Sequence, residues 1–225
     1  MIAALVLAGA AACGGSGSRA APPEPRIATP AAAPAAEPPA VIFVGTSLTA
    51  GLGVSPEEAY PALVQKRIEQ AGLPWRVVNA GVSGETSAGA RRRLDWLLDH
   101  RDAGVLVIET GANDGLRAQD PGATRANIEA MIERAAREAP PPRVVLVGMQ
   151  APPNYGADYA RRFRALYPEL AAKHQLPLVP FLLEGVAGVA RLNQADGIHP
   201  TPEGHRLMAE TVWRVLGPAL QPAQR

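Results

Sequence analysis

The feature that most constrains this chain is a regular alternation, from about residue 40 onward, of short β-branched runs with longer segments of helical spacing. Val41–Val44, Trp75–Val78, Val105–Ile108, Val144–Val147 and Leu178–Val179 are short and largely apolar, as suits strands buried on both faces of a parallel sheet. Glu57–Ala71, Ser87–Leu98, Thr124–Ala139, Ala157–His174 and Glu203–Leu216 carry apolar residues three and four apart, the period of a helix with one buried face. In the last of these, Leu207, Met208, Thr211, Val212 and Val215 share a face. The first is introduced by Ser55-Pro56 and stopped by Gly72, since proline suits a helix start and glycine its exit. Alternating strands and helices pair their strands in parallel. Right-handed crossovers then predict a three-layer α/β/α sandwich around a five-stranded parallel sheet in the flavodoxin-like order 2-1-3-4-5. Ligands of such sheets bind at the carboxyl ends of the strands, so the residues that follow each strand are the ones to weigh for chemistry.

A chain of 225 residues with 47% hydrophobic content can bury one good-sized core, which we place in residues 40–218, with a short tail over 219–225. Lys and Arg number 22 against 21 Asp and Glu, a net charge of +1, so no electrostatic case exists for nucleic acid, and a small molecule is the expected partner. The arginine runs Arg91-Arg92-Arg93 and Arg161-Arg162 fall in amphipathic segments, where a solvated face is the expectation. Residues 14–39 are Gly/Ser-rich and then Ala/Pro-rich, without a face to bury, and read as a disordered tether. The first twelve residues are apolar and small, too short to span a bilayer and suited to a secretory signal. Cys13, the single cysteine, follows three alanines and precedes a Gly/Ser run, resembling a bacterial lipobox. The expectation is export, with a lipid on Cys13 as the only membrane contact; simple secretion into the periplasm is the alternative. One cysteine leaves no intrachain disulfide and no thiolate metal site.

Gly45-Thr46-Ser47-Leu48 follows the first strand, which puts Ser47 in a strand-to-helix turn at the carboxyl edge of the sheet. A serine there is a candidate nucleophile, although alone it could simply cap the turn. Asp196-Gly197-Ile198-His199-Pro200 supplies a base: an Asp three residues before a His in a glycine-containing loop can bend back to the imidazole N–H and fix its tautomer. The same string also has turn chemistry of its own. Asn113, in Gly111-Ala112-Asn113-Asp114 after the third strand, offers an amide donor to an oxyanion, and Asp114 beside it reads as a brace. The loop from Asn79 to Thr86 contains Gly81 and Gly84, whose lack of a side chain lets backbone N–H groups approach a ligand. His100, His174 and His205 are expected on the surface.

These four strings, in this order, resemble the signature blocks of the SGNH (GDSL) hydrolase superfamily, over roughly Val41 to Leu216. Gly111–Arg117, Pro152–Gly156 and Tyr167–Phe181 are similar to the bacterial periplasmic branch with acyl-thioesterase, lysophospholipase and arylesterase activities. The resemblance implies Ser47, Asp196 and His199 as catalytic triad and the Ser47 N–H, the Gly81 N–H and the Asn113 amide as oxyanion hole. It implies a substrate-binding wall of Met149, Ala151, Pro152, Asn154 and Tyr155, and neither cofactor nor metal. The implied reaction is hydrolysis of carboxylic esters or thioesters through an acyl-enzyme on Ser47. The rivals are an envelope glycan O-deacetylase and a non-catalytic lipid- or glycan-binding lipoprotein. One departure stands out: Thr46 occupies the place of the usual Asp before the serine.

Overall fold

The computed structural model describes residues 37–221. Cys13, residues 14–36 of the expected tether, and residues 222–225 of the tail lie outside the described residues. Five strands, β1 (Ala40–Gly45), β2 (Arg76–Gly81), β3 (Ala103–Glu109), β4 (Arg143–Val147) and β5 (Leu178–Val179), form one sheet in the order β2-β1-β3-β4-β5. Every neighbouring pair is parallel. β1 lies inside the sheet and is buried along its whole length, which is why its sequence shows no polar alternation. The expected order and layering both hold.

Among the described residues seven helices accompany the sheet: α1 (Ser47–Ala50), α2 (Tyr60–Gln70), α3 (Ser87–Asp99), α4 (Ala112–Leu116), α5 (Pro121–Ala135), α6 (Ala157–His174) and α7 (Pro202–Leu220). α2 packs on α7 on one side, while α3 packs on α5 and α5 on α6 on the other. On α7, Met208, Val212, Leu216 and Leu220 recur every fourth residue and are buried, so the stripe read from the sequence meets the core and runs one turn further. Completely burying one such side chain is worth about 1.5–3 kcal/mol.

Several element boundaries differ from expectation, among them the end of the helix expected to reach Ala139, which stops at Ala135; three of the differences have a local reason. The expected helix Glu57–Ala71 is split into a 3-10 turn at Pro56–Glu58 and α2, with Ala59 extended between them. A continuous helix would place Pro61 in its interior, where the ring meets the carbonyl four residues back; the split moves Pro61 into the first turn of α2, where a missing N–H costs nothing. The fifth helix starts three residues before the expected Thr124, because Asp120 caps it by accepting a bond from the Ala123 N–H at 3.1 Å and Pro121 takes the first position. β2 continues past Val78 to Gly81, held by its pairing with β1 out to Gly45↔Gly81.

Candidate active site

Between the end of β1 and the start of α1 stands a single residue, Thr46, extended at φ −99° and ψ −154°. Ser47 is therefore the first residue of a helix that begins directly at the carboxyl edge of the sheet. The other half of the site comes from the opposite end of the chain. Asn193 and Pro200 form an antiparallel bridge, closed further by bonds from the Gln194 N–H to the His199 carbonyl (2.7 Å) and from the Thr201 N–H to the Leu192 carbonyl (2.9 Å). Gly197 turns the loop at φ 69°, a left-handed conformation that glycine adopts without strain. The Gln194 amide donates to the carbonyls of Leu52 and Pro200, at 2.8 and 2.9 Å, tying the histidine loop to the segment after Ser47.

This arrangement brings three side chains into a line. Ser47 Oγ lies 2.9 Å from His199 Nε2, and His199 Nδ1 lies 2.6 Å from Asp196 Oδ2. The other Asp196 oxygen accepts the N–H groups of Ile198 (2.9 Å) and His199 (3.0 Å). The imidazole and these two amides hold the Asp196 carboxyl well below the usual carboxylate range, so it faces the ring as an anion and assigns the proton to Nδ1. Nε2 is then free to accept from the Ser47 hydroxyl, the geometry that general-base activation of a serine requires.

The expected oxyanion donors divide. Asn113 lines the groove beside Ser47, its amide anchored by donating to the Glu85 carbonyl at 3.0 Å. Gly81 does not take part: it ends β2 rather than lying in a loop, and its N–H donates to Asn79 Oδ1 at 3.0 Å. Its lack of a side chain serves packing, since a Cβ there would stand 2.3 Å from the nitrogen of Ala50 on α1. Of the two glycines in this stretch, the one that lines the groove is Gly84, at φ 77° in the following loop. Neither the Gly84 N–H nor the Ser47 N–H donates to another atom among the described residues. Arg93 holds that loop with bonds to Glu85 at 2.7–2.9 Å and to the Ala80 carbonyl at 2.7 Å, so this arginine is not part of a merely solvated face.

The groove over Ser47 has a volume of about 290 Å³, and its walls include Leu48, Leu52, Leu116, Met149, Pro152, Leu183 and Ile198. Of the expected wall, Met149 and Pro152 are in place, together with Gln150. Ala151, Asn154 and Tyr155 are not among the lining residues. Ala151 turns to α4, within 3.3 Å of where a Gly115 side chain would begin. Asn154 and Tyr155 sit in an exposed 3-10 turn, with the Tyr155 hydroxyl donating to the Leu116 carbonyl at 2.7 Å.

Asp114 is buried and bonds to Ser87 and Thr124 rather than to His199, accepting from the Ser87 N–H (2.9 Å), the Ser87 hydroxyl (2.5 Å) and the Thr124 hydroxyl (3.3 Å). It thereby caps α3, whose own N-cap side chain makes no such bond. Two histidines depart from the surface expectation. His205 is buried, accepts the Tyr60 N–H on Nδ1 at 3.2 Å, and is pushed down by burial to about 4; His174 pairs with Glu129 at 2.8 Å. His100 is exposed.

Comparison with known proteins places this geometry in context. Residues 43–207 match the model of the GDSL-like Lipase/Acylhydrolase family. The chain is 43% identical over 180 residues to Esterase TesA of Pseudomonas aeruginosa, covering 80% of this chain and 89% of the relative. It is 34% identical over 180 residues to Thioesterase 1/protease 1/lysophospholipase L1 of Escherichia coli, covering 79% and 83%. Among solved structures, the crystal structure of TesA superposes with a TM-score of 0.77 at 43% identity, covering 81% of this chain and 99% of the other.

Proposed function

This chain belongs to the GDSL-like lipase/acylhydrolase family, and from that premise we propose that it is a serine esterase that hydrolyses carboxylic esters and thioesters through an acyl-enzyme on Ser47. The observation that carries the reading is the 2.9 Å approach of Ser47 Oγ to His199 Nε2 on the floor of an apolar groove. Attack of Oγ on the acyl carbonyl transfers the hydroxyl proton to Nε2, and Asp196 stabilises the imidazolium that forms. The carbonyl oxygen, now an oxyanion, is received by the N–H groups of Ser47 and Gly84 and by the Asn113 amide. As the intermediate collapses, the alcohol or thiol leaves with the proton from His199. Water then attacks the acyl-enzyme by the same route in reverse and releases the acid.

Relatives named esterase and thioesterase 1/lysophospholipase L1 support ester and thioester substrates. The mainly apolar wall, with Leu48, Leu52, Leu116, Leu183 and Ile198, suits an acyl chain better than a hydroxyl-covered sugar ring, which counts against the glycan O-deacetylase. The test is a panel of p-nitrophenyl esters from acetyl to palmitoyl, with acyl-CoA thioesters and acetylated xylan alongside. Turnover of both the esters and the thioesters, with xylan spared, is the expected pattern. Activity confined to xylan would reverse the assignment.

We further propose that the enzyme sits in the bacterial cell envelope, held by a lipid on Cys13; the apolar run before that cysteine supports it. In a bacterial host, Cys13→Ala should release the enzyme from membranes and abolish incorporation of labelled palmitate. If both forms partition equally into the soluble fraction, ordinary secretion replaces the anchor.

A further inference from the structure

Behind Ser47, on the far side of its turn from the groove, lies a carboxyl group that the acylation chemistry does not use. Glu109 ends β3 and is buried without exposure, and no cation pairs with it among the described residues. Its partners are the two threonines that flank the nucleophile. The Thr46 N–H donates to Oε2 at 2.9 Å, the Thr46 hydroxyl lies 3.2 Å from each carboxyl oxygen, and the Thr49 hydroxyl donates to Oε2 at 2.7 Å. The Tyr60 hydroxyl is 2.7 Å from that of Thr49, and the Tyr60 N–H reaches His205 at the start of α7. Gly45 makes room for the carboxyl: a Cβ there would stand 1.9 Å from Thr49 Oγ1 and 2.7 Å from Glu109 Oε2.

Such a group is expensive. Burial pushes its carboxyl up to about 7, against the pull of the bonds from Thr46 and Thr49. The folded state therefore binds this proton more tightly than the unfolded chain does, so the associated stability is complete below the ordinary carboxylate range and is lost as pH rises through about 7. An apolar side chain at this depth would carry no such penalty.

The turn that Glu109 grips is one that local sequence cannot hold. α1 has four residues and no side-chain cap at Thr46, and a helix that short has no stability of its own in water. The conformation of Thr46 sets the peptide that carries the Ser47 N–H, and the start of α1 sets where Ser47 Oγ points. The geometry points to Glu109 as a positioning residue of the esterase reaction: by holding the N–H and hydroxyl of Thr46 and the hydroxyl of Thr49, it aims the Ser47 hydroxyl at His199 and the Ser47 N–H at the oxyanion. Thr46 fits the same design, because an Asp there would set a second carboxylate against Glu109, whereas threonine supplies a donor. The inference rests on the esterase reading above.

Glutamine at 109 can keep the arrangement: its oxygen accepts from the Thr46 N–H and the Thr49 hydroxyl, and its amide donates to Thr46 Oγ1. Alanine cannot. The test measures kcat, KM and the rate of fluorophosphonate labelling of Ser47 for the wild type, Glu109→Gln, Glu109→Ala and the milder Thr49→Val, each checked for its melting transition. Misplacement of a reacting group by about 1 Å costs on the order of 10²-fold, so Glu109→Ala should lose about that much in both kcat and labelling rate, with KM within about twofold. Thr49→Val, which removes one of the bonds, should lose about tenfold, and Glu109→Gln should stay within about threefold of the wild type. A Glu109→Ala or Thr49→Val enzyme with wild-type kcat, a loss confined to KM, or a Glu109→Gln as slow as Glu109→Ala would overturn the positioning role. Should Glu109→Ala fail to fold, Glu109→Gln and Thr49→Val still decide. A wild type that is neither labelled nor active would instead overturn the esterase reading, and the positioning role with it.

Discussion

Replacing Ser47 with alanine is expected to lower kcat by about 10⁶-fold, the size of effect that follows loss of a triad serine in a serine protease. The residual rate would come from the groove and the oxyanion donors, which the substitution leaves in place, so KM should change little. Two other serines lie nearby and define the controls. Ser83 lines the groove, but the His199 imidazole is engaged by Ser47 and Asp196 instead. Ser87 is buried and donates its hydroxyl to Asp114 at 2.5 Å. A serine-directed fluorophosphonate should accordingly add once per chain, on the peptide that contains Ser47. Undiminished turnover in Ser47→Ala, or a label recovered on Ser83, would remove Ser47 from the mechanism.

The second large effect separates two carboxylates at the same edge of the sheet. Asp196→Asn should cost roughly 10²–10⁴ in kcat near neutral pH, the upper end being the loss seen when a protease triad keeps its geometry but not its tautomer. The reason is directional. Asp196 accepts the Nδ1–H of His199 on one oxygen and two backbone N–H groups on the other. An asparagine must keep its oxygen toward those amides and turn its NH₂ toward Nδ1, which moves the ring proton to Nε2, where it cannot serve as base. Asp114→Asn should cost clearly less, since its partners are Ser87 and Thr124 and its work is to cap α3. The reverse order of rates, with both variants folded by circular dichroism, would refute this assignment of the triad.

The strands were legible because a parallel sheet buried on both faces leaves an unmistakable apolar run, and the layering followed from the alternation of strands with helices and the handedness of their crossovers. The ends of strands were less visible. β2 continues through Asn79-Ala80-Gly81, none of them a strong strand former, because pairing with β1 holds them there; local propensity yields to a tertiary partner. That misplaced boundary is also why Gly81 reads as a loop glycine and on that reading draws the oxyanion role that Gly84 is placed to fill. α1 and α4, with four and five residues, are too short to show a period, yet they carry Ser47 and Asn113. The Asp196–His199 pair was readable because a three-residue spacing is settled locally. His205 does carry a signal of burial: it lies three and seven residues before Met208 and Val212, on the buried stripe of α7. Pairing of His174 with Glu129, 45 residues away, has no local signature. Nor does the path of residues 151–155, which depends on where α4 packs.

The contact between Ser47 and His199 joins residues 152 positions apart, one at the end of the first strand and the other just before the last helix. Closing so long a loop is entropically costly and comes late unless many other contacts have already formed. Any partly folded species in which α7 has not docked on α2 is therefore catalytically silent, however complete the rest of its sheet. Turnover by this protein counts only molecules in which the end of the first strand and the histidine loop have been brought together.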